Sequence, residues 1–502
     1  MNSTRITQPE AVAVVAITVV AAILRFATLD VQGFWADEAV TVGLLDRGFA
    51  DLMREIPRSE STPPLYYALA WLWTQAFGSG EVGLRSLSAL CGTAAIPVGW
   101  AAARELAGSR VALWVAGLAA VSPLLVWYSQ EARSYALLLL LGALSVWLFA
   151  RLLAAPRARD AALWALVCAL ALATHYFAIF LVGAQALWLL ARAPRRLALG
   201  AAAAVALAGA VLLPLALRQQ GAGFASYIAD EPLARRFLLA AKQLALGFDS
   251  PLEPLSAGLV LAIAAVGIVL AATRTAGDTR LAVRAAATLA AACVLAPLAV
   301  SLLGTDYVLT RNLIAAWLPL AIVVVAGLAG PTAGRAGTAA LAVAAALSVA
   351  STVGVALTPA WQREDWRAAG RAIGRPAARA ILVSEPVQAR ALRLYRPTAL
   401  PISTGTHRVT EVVALARRGR DLGRAVPLPP DPAVVAALGL RNVERRRRPT
   451  YELLRMATAG PPAALSTDQL MALRLAADRG PSAVLLEPGA GVRPRAGAGP
   501  GK

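Results

Sequence analysis

Long apolar runs separated by short polar stretches organise the first 358 residues. Eleven such runs lie near residues 11–29, 83–103, 111–128, 134–153, 161–175, 177–191, 197–217, 255–272, 285–303, 312–329 and 337–358. A helix rises about 1.5 Å per residue and a bilayer core is about 30 Å thick, so about twenty apolar residues can cross it. Runs such as Ala11–Leu24 and Leu197–Leu217 reach or approach that length. The pattern predicts an all-α polytopic membrane module over 1–358, with about eleven transmembrane helices. From Pro359 the texture changes. Arg363–Ile373 reads as an amphipathic helix, Ala380–Glu385 as a strand and Asp431–Leu438 as a short helix, while Asn442–Arg448 and Tyr451–Met456 can pair as strands. These elements predict a small soluble α/β domain over 359–458 and a tail over 459–502. The tail is expected to be largely disordered after 488, where Gly and Pro crowd together.

Charge sets the orientation. One series of loops holds Arg104 and Arg110; Arg151, Arg157 and Arg159; Arg192, Arg195 and Arg196; Arg274, Arg280 and Arg284; and Arg335. The alternate series is rich in Asp and Glu and includes the two long loops, 30–83 and 218–254. Arginine-rich loops stay in the cytoplasm, so the N-terminus is expected inside and the α/β domain outside. Within the first long loop, Thr62–Gly78 is apolar and aromatic but about seventeen residues long. That length and its Tyr and Trp content suit a helix lying in the outer interface, opened by Pro63 and Pro64.

Composition agrees with a lipid environment: 58% of residues are hydrophobic and 15% charged, against about 25% charged in soluble domains. The net charge of +19 comes almost wholly from Arg and suits anionic lipid or a phosphorylated substrate; no nucleic-acid motif is present. Cys91, Cys168 and Cys293 all fall in apolar runs, so neither a disulfide nor a metal cluster is expected. No P-loop, nucleophile elbow, zinc-protease motif or Rossmann glycine run occurs.

The candidate chemistry gathers at the expected outer ends of the spans. Gly33–Ala39 (GFWADEA) carries adjacent acids, Asp37 and Glu38, which can deprotonate an acceptor, bind a divalent cation such as Mg or Mn, or simply be solvated. Ser129–Ala136 (SQEARSYA) holds Glu131, Arg133 and Tyr135. Arg133 either pairs with Glu131 or holds a phosphate, for which a guanidinium is well shaped. His175 and Tyr176 lie in THYF, and Arg311 lies in DYVLTRN before the tenth span. Arg218, Arg235 and Lys242 in the second long loop are rival phosphate ligands.

FWADEA after the first span, STPPLYYALAWLW before the second, and SPLLVWYSQEARSYALL at the third and fourth resemble the GT-C glycosyltransferases. The resemblance is to the protein O-mannosyltransferase and lipid A aminoarabinose-transferase branch, and EDWRAAG (Glu364–Gly370) also recurs in bacterial members. It spans about residues 20–375. It implies a multi-pass plasma-membrane enzyme with its active site on the extracytoplasmic face. Such an enzyme moves a hexose or pentose from a polyprenyl-phosphate donor to a hydroxyl of a glycan, lipid or protein. By the same resemblance Asp37 matches the catalytic base, Glu38 its neighbouring acid, and the Pro63-Pro64 segment, with Tyr66, a wall of the active site. Relatives often carry Lys or His before the paired prolines, where Ser61-Thr62 stand here. The donor phosphate then needs other contacts, for which face and charge nominate Arg133, His175 and Arg311. A polytopic transporter or lipid flippase is the alternative. It calls for ionisable residues at mid-membrane and matching halves, and no internal repeat is evident.

The charge pattern generates a topology prediction. A reporter fused after residue 365 should be active only in the extracytoplasmic compartment; cytoplasmic activity would mean that an odd number of crossings is wrong.

Overall fold

The computed structural model describes residues 6–223, 228–229, 231–304, 306–418, 430–473 and 483–488. The chain divides into two compact units: 1–29 with 44–357, and 30–43 with 358–502.

The first unit is helical. Its elements are α1 (Gln8–Phe26), α3 (Phe49–Ser59), α4 (Leu65–Phe77), α5 (Glu81–Ala107), α6 (Ser109–Val121), α7 (Pro123–Ser129), α8 (Tyr135–Ala154), α9 (Ala158–Thr174) and α10 (Ala178–Arg192). They continue with α11 (Arg195–Gly221), α12 (Leu233–Leu246), α13 (Glu253–Arg274), α14 (Gly277–Leu302), a 3-10 turn (Thr310–Ala316) running into α15 (Trp317–Leu328), and α16 (Gly334–Leu357); α2 (Ala36–Leu45) begins in the second unit. All eleven apolar runs are helical, but they are not all equally able to cross a membrane. Among the described residues eight helices are individually long and apolar enough, and the bent α6–α7 pair makes nine. The runs near 161–175 and 177–191 form helices of 17 and 15 residues. These are about 25 and 22 Å long, short of a full hydrocarbon core, so the count of eleven spans is not carried by helix length alone. At 13 residues α4 is shorter still, and it buries Tyr66, Tyr67 and Ala70.

The expected third span is broken at Ser122-Pro123, where α6 and α7 meet at 58°. Proline has no N–H to give the carbonyl four residues back, so Ala119 is left without its helical donor and the bend strands the carbonyls beside it. Arg25, fully buried near the end of α1, supplies the donors: Nη2 to Ala119 O at 3.0 Å and Nη1 to Ala120 O at 2.9 Å. Thr352 Oγ1 of α16 donates to Val121 O at 3.0 Å. Ser122 Oγ accepts from Leu125 N and so caps α7. Arg25 Nε also reaches Ser129 Oγ at 3.2 Å. Gly92 of α5 admits that serine: a Cβ there would lie 2.0 Å from Ser129 Oγ. Gln130 Nε2 donates to Leu24 O, Arg25 O and Thr28 Oγ1 at the end of α1. A buried arginine whose neutral partners are carbonyls and a hydroxyl is thus explained by helix-end satisfaction, without an ion pathway.

The second unit is an α/β sandwich. Its strands are β1 (Arg379–Val383), β2 (Leu400–Pro401), β3 (Thr406–Val409), β4 (Glu411–Arg417), β5 (Leu440–Arg447), β6 (Tyr451–Thr458), β7 (Ala463–Ser466) and β8 (Ala483–Glu487), with helices α17 (Trp366–Ala372), α18 (Pro386–Tyr395), α19 (Pro432–Ala437) and α20 (Thr467–Ala472). Six strands form one sheet in the order β2-β8-β1-β4-β6-β5, and β3 pairs with β7. Only β1–β4 is parallel within the six-stranded sheet. Side chains alternate across it, as the strand period of two requires. Ile381, Val413, Leu415, Leu453 and Leu485 pack with Trp366 and Leu392 on one face; Leu382, Val412, Leu454 and Met456 pack with Leu470 and Leu473 on the other.

Two boundaries differ from the sequence reading. The sheet continues past 458 to β8, which pairs antiparallel with β1 across more than 100 residues, a separation no local pattern reveals. Residues 30–43 cluster with the C-terminal unit, because Ala39 is buried in the same core as Trp366 and Leu415. The tail expected to be disordered after 488 lies outside the described residues.

The carbonyls stranded at the α6–α7 break generate a stability prediction. Arg25→Leu should cost roughly 2–4 kcal/mol by orphaning two buried carbonyls, and Thr352→Val about 1 kcal/mol. Thermal unfolding in detergent measures both; equal small losses would remove Arg25 from this role.

Candidate active site

In the second unit, Asp37 and Glu38 occupy the first turn of α2. Carboxylates there meet the positive end of the helix dipole and its unpaired N–H groups. Their surroundings differ sharply. Glu38 is fully buried, and its Oε2 accepts from Trp35 N at 3.4 Å, whereas Asp37 is partly exposed. The neighbouring backbone is tied down: Arg363 N donates to Gln32 Oε1 at 2.8 Å, and the Arg363 guanidinium lies 5.9 Å from the Trp35 ring centre. Adjacent acids, one inward and one accessible, can divide the work between holding the turn and exchanging a proton. For a cation they offer one accessible carboxylate, so Mg or Mn would rely on water or substrate oxygens for its remaining ligands. Among the described residues no group of three or more His, Cys, Asp or Glu forms a metal cluster.

In the first unit, Arg133 follows α7 in a tight turn, with its N–H on Glu131 O at 2.8 Å. Its bidentate carboxylate is Glu60, 73 residues earlier, at 2.9 and 3.0 Å, with both side chains buried. The guanidinium also lies 5.9 Å from the Tyr67 ring centre. Tyr67 Oη is within 3.1 Å of Thr62 Oγ1, and burial, opposed by Arg133, pushes the phenol pKa up so that it stays neutral. Tyr66 Oη meets Ser88 Oγ at 3.3 Å, and Ser88 Oγ donates to Arg133 O at 3.4 Å. Tyr135 packs against His175, with ring centres 5.7 Å apart. His175 sits in the turn between α9 and α10. Burial and the positive charges of Arg311 and Arg133 push it down to about 3, so the ring is a neutral imidazole at physiological pH. Tyr176 Oη donates to Gln219 Oε1 at 2.6 Å, and Gln219 Nε2 donates to Ile56 O and Thr62 O.

The structure therefore brings Arg133, Tyr135, His175 and the field of Arg311 together, and links Tyr66 to Arg133 through Ser88. Glu131 is buried beside Arg133 in sequence, but the forked pair is made with Glu60. Of the rival cations, Lys242 is engaged by Glu253 Oε1 at 2.6 Å and by Phe248 O, and Arg235 by Glu231 at 3.4 Å. Glu60, Tyr67 and Gln219 were not singled out from sequence. Only Glu60 left a signal there, as an acid three residues before Pro63.

The sequence model of the family described as dolichyl-phosphate-mannose-protein mannosyltransferase matches residues 61–217. The structure of ArnT from Cupriavidus metallidurans in the apo state superposes with a TM-score of 0.54 at 14% identity, covering 89% of this chain and 98% of that one. The same protein bound to undecaprenyl phosphate gives 0.52 at 14% identity, over 88% and 97%.

The chain has the fold of ArnT, a GT-C-like fold.

No curated protein matches it in sequence. Within this multi-pass GT-C-like protein, the family match takes in Tyr66, Glu131, Arg133, Tyr135, His175 and Tyr176, and leaves out Asp37, Glu38, Glu60 and Arg311.

The buried Glu60–Arg133 fork generates the next prediction. Glu60→Gln leaves a buried guanidinium without its carboxylate and should cost roughly 3–5 kcal/mol. Adding Arg133→Gln should restore part of the loss. Unfolding midpoints of the two singles and the double measure this coupling, and strictly additive losses would refute it.

Proposed function

We propose that this protein is a glycosyltransferase that moves a hexose or pentose from a polyprenyl-phosphate-linked donor to an acceptor hydroxyl. The reaction takes place at the extracytoplasmic face of the plasma membrane, and the acceptor is a glycan, a lipid or a protein. The observation that carries the reading is the near end-to-end match to a fold that has also been solved with undecaprenyl phosphate. In the reaction, Asp37 takes the proton of the acceptor hydroxyl as its oxygen attacks the anomeric carbon. The anomeric carbon–oxygen bond breaks, its electron pair stays on the departing polyprenyl phosphate, and the configuration inverts. Direct displacement needs one base, whereas retention generally needs a nucleophile and a separate acid/base. The partial exposure of Asp37 beside a buried Glu38 supports Asp37 as the base, with Glu38 holding the turn.

The leaving phosphate needs positive charge or strong donors. Arg133 and Arg311 supply the charge in this reading, and their shared effect on His175 supports assigning them to one electrostatic environment. Tyr135, Tyr176 and Tyr66 offer aromatic faces and hydroxyls to the sugar, and Glu131 helps to shape the Arg133 turn. Replacing Arg133 would also break its buried fork to Glu60, so the phosphate test is made at Arg311.

Purified protein in lipid nanodiscs, supplied with a panel of polyprenyl-phosphate hexoses and pentoses, should release polyprenyl phosphate from at least one. Asp37→Asn should slow that release by roughly 10²-fold or more and stay folded. Arg311→Lys should raise the donor concentration needed for half-maximal rate, since it keeps charge but loses the fork. Near-normal turnover in Asp37→Asn would sink the assignment of the base, and an inert response to the whole panel would sink the donor class.

A further inference from the structure

We infer that Tyr395 is a positioning residue for Asp37, the central point of a latch by which the C-terminal domain holds the segment carrying the base. The inference rests on the reading of Asp37 given above. Residues 30–35 precede α2 without regular hydrogen-bonded structure of their own, so the placement of Asp37 depends on what holds them. Arg367 Nη2 donates to Asp30 O at 2.7 Å and Val31 O at 3.2 Å. Gln32 accepts from Arg363 N, and Trp35 lies beside the Arg363 guanidinium. Phe34 N donates to Tyr395 Oη. Gly33 fits between the two anchors: a Cβ there would come within 3.1 Å of Tyr395 Oη and 3.2 Å of Arg367 Cβ. Two residues past the acid, Ala39 is sealed in the core with Trp366 and Leu392.

Both of the segment's motifs are used. Arg363, Trp366 and Arg367 come from the stretch around EDWRAAG, and Gly33, Phe34 and Trp35 from GFWADEA. Behind Tyr395 the support is stiff. A Cβ on Gly370 would sit 3.4 Å from Tyr395 Cβ, and Arg396 donates to Gly370 O at 3.1 Å and to Glu487 Oε2 of β8 at 2.7 Å. Asp365 caps α17, accepting from Ala368 N at 2.8 Å, and Glu364 pairs with Arg417 of β4 at 3.2 Å. The sheet thereby fixes α17 and the end of α18, and these fix the turn three residues before Asp37. A base must be held within about 0.5 Å to act, and a displacement of about 1 Å can cost about 10²-fold.

Tyr395→Phe removes only the hydroxyl and tests the latch on the full-length protein. Hydrogen–deuterium exchange should quicken across residues 30–39 while β1 stays protected. With the panel donor that gives turnover, kcat should fall about tenfold with donor KM unchanged. In an Asp37→Glu background, where the carboxylate is already displaced, the same change should cost less than twofold. Gly33→Ala, which crowds the hydroxyl from the other side, should reproduce the kcat loss. Unchanged exchange across 30–39, or equal kcat losses in both Asp37 backgrounds, would overturn the proposal. If exchange responds but no polyprenyl-phosphate donor is turned over, the reading of Asp37 as base has failed and the positioning role falls with it. If exchange does not respond while Asp37→Asn still abolishes turnover, the latch alone has failed.

Discussion

The membrane unit depends on how a broken helix is made tolerable where water cannot help. Pro123 ends α6 in the middle of an apolar run, and three consecutive carbonyls then look for donors. Two come from one guanidinium on α1 and one from a hydroxyl on α16. In lipid a carbonyl left bare is costly, so these bonds fix three helices around one turn. That turn leads through α7 into Ser129–Arg133, so Arg133 and Tyr135 inherit their placement from it. The bend costs backbone hydrogen bonds and redirects the chain by 58° between α6 and α7.

The charges nearby follow a similar economy. Glu60 and Arg133 neutralise each other in a forked pair beside the Tyr67 ring, a geometry that desolvation would penalise if either were absent. The residual field is positive: His175 is kept neutral by it as well as by burial. A neutral imidazole can donate or accept a hydrogen bond without adding charge. In the second unit the asymmetry between Glu38 and Asp37 comes from burial rather than chemistry, since adjacent residues at a helix start point in different directions.

Legibility in the sequence followed distance along the chain. The apolar runs were visible because membrane helices advertise themselves locally. The β5–β6 hairpin was equally visible, with its strands separated by a short turn. The break at Pro123 was hidden inside a run whose composition stayed apolar, so it read as one span. Arg133 drew attention to Glu131, two residues away, while its carboxylate came from Glu60. β4, an apolar stretch, and β8, the last strand among the described residues, are not legible locally because each gains its meaning from pairing with β1. GFWADEA and EDWRAAG were both recognised, but nothing local says that they belong to one structure about 330 residues apart.

That separation has a consequence for how the protein is made. The turn before Asp37 leaves the ribosome more than 300 residues before its anchors, which lie beyond residue 360 and lean on Glu487 through Arg396. Until those anchors are made, the acid-bearing turn lacks the contacts that fix it. Synthesis of the C-terminal unit is therefore the event that assembles this part of the molecule. A chain ending before β8 would leave β1 with an open edge and Arg396 without Glu487, however well its helices had inserted. Premature termination would then leave membrane-inserted products with a loosely held acid.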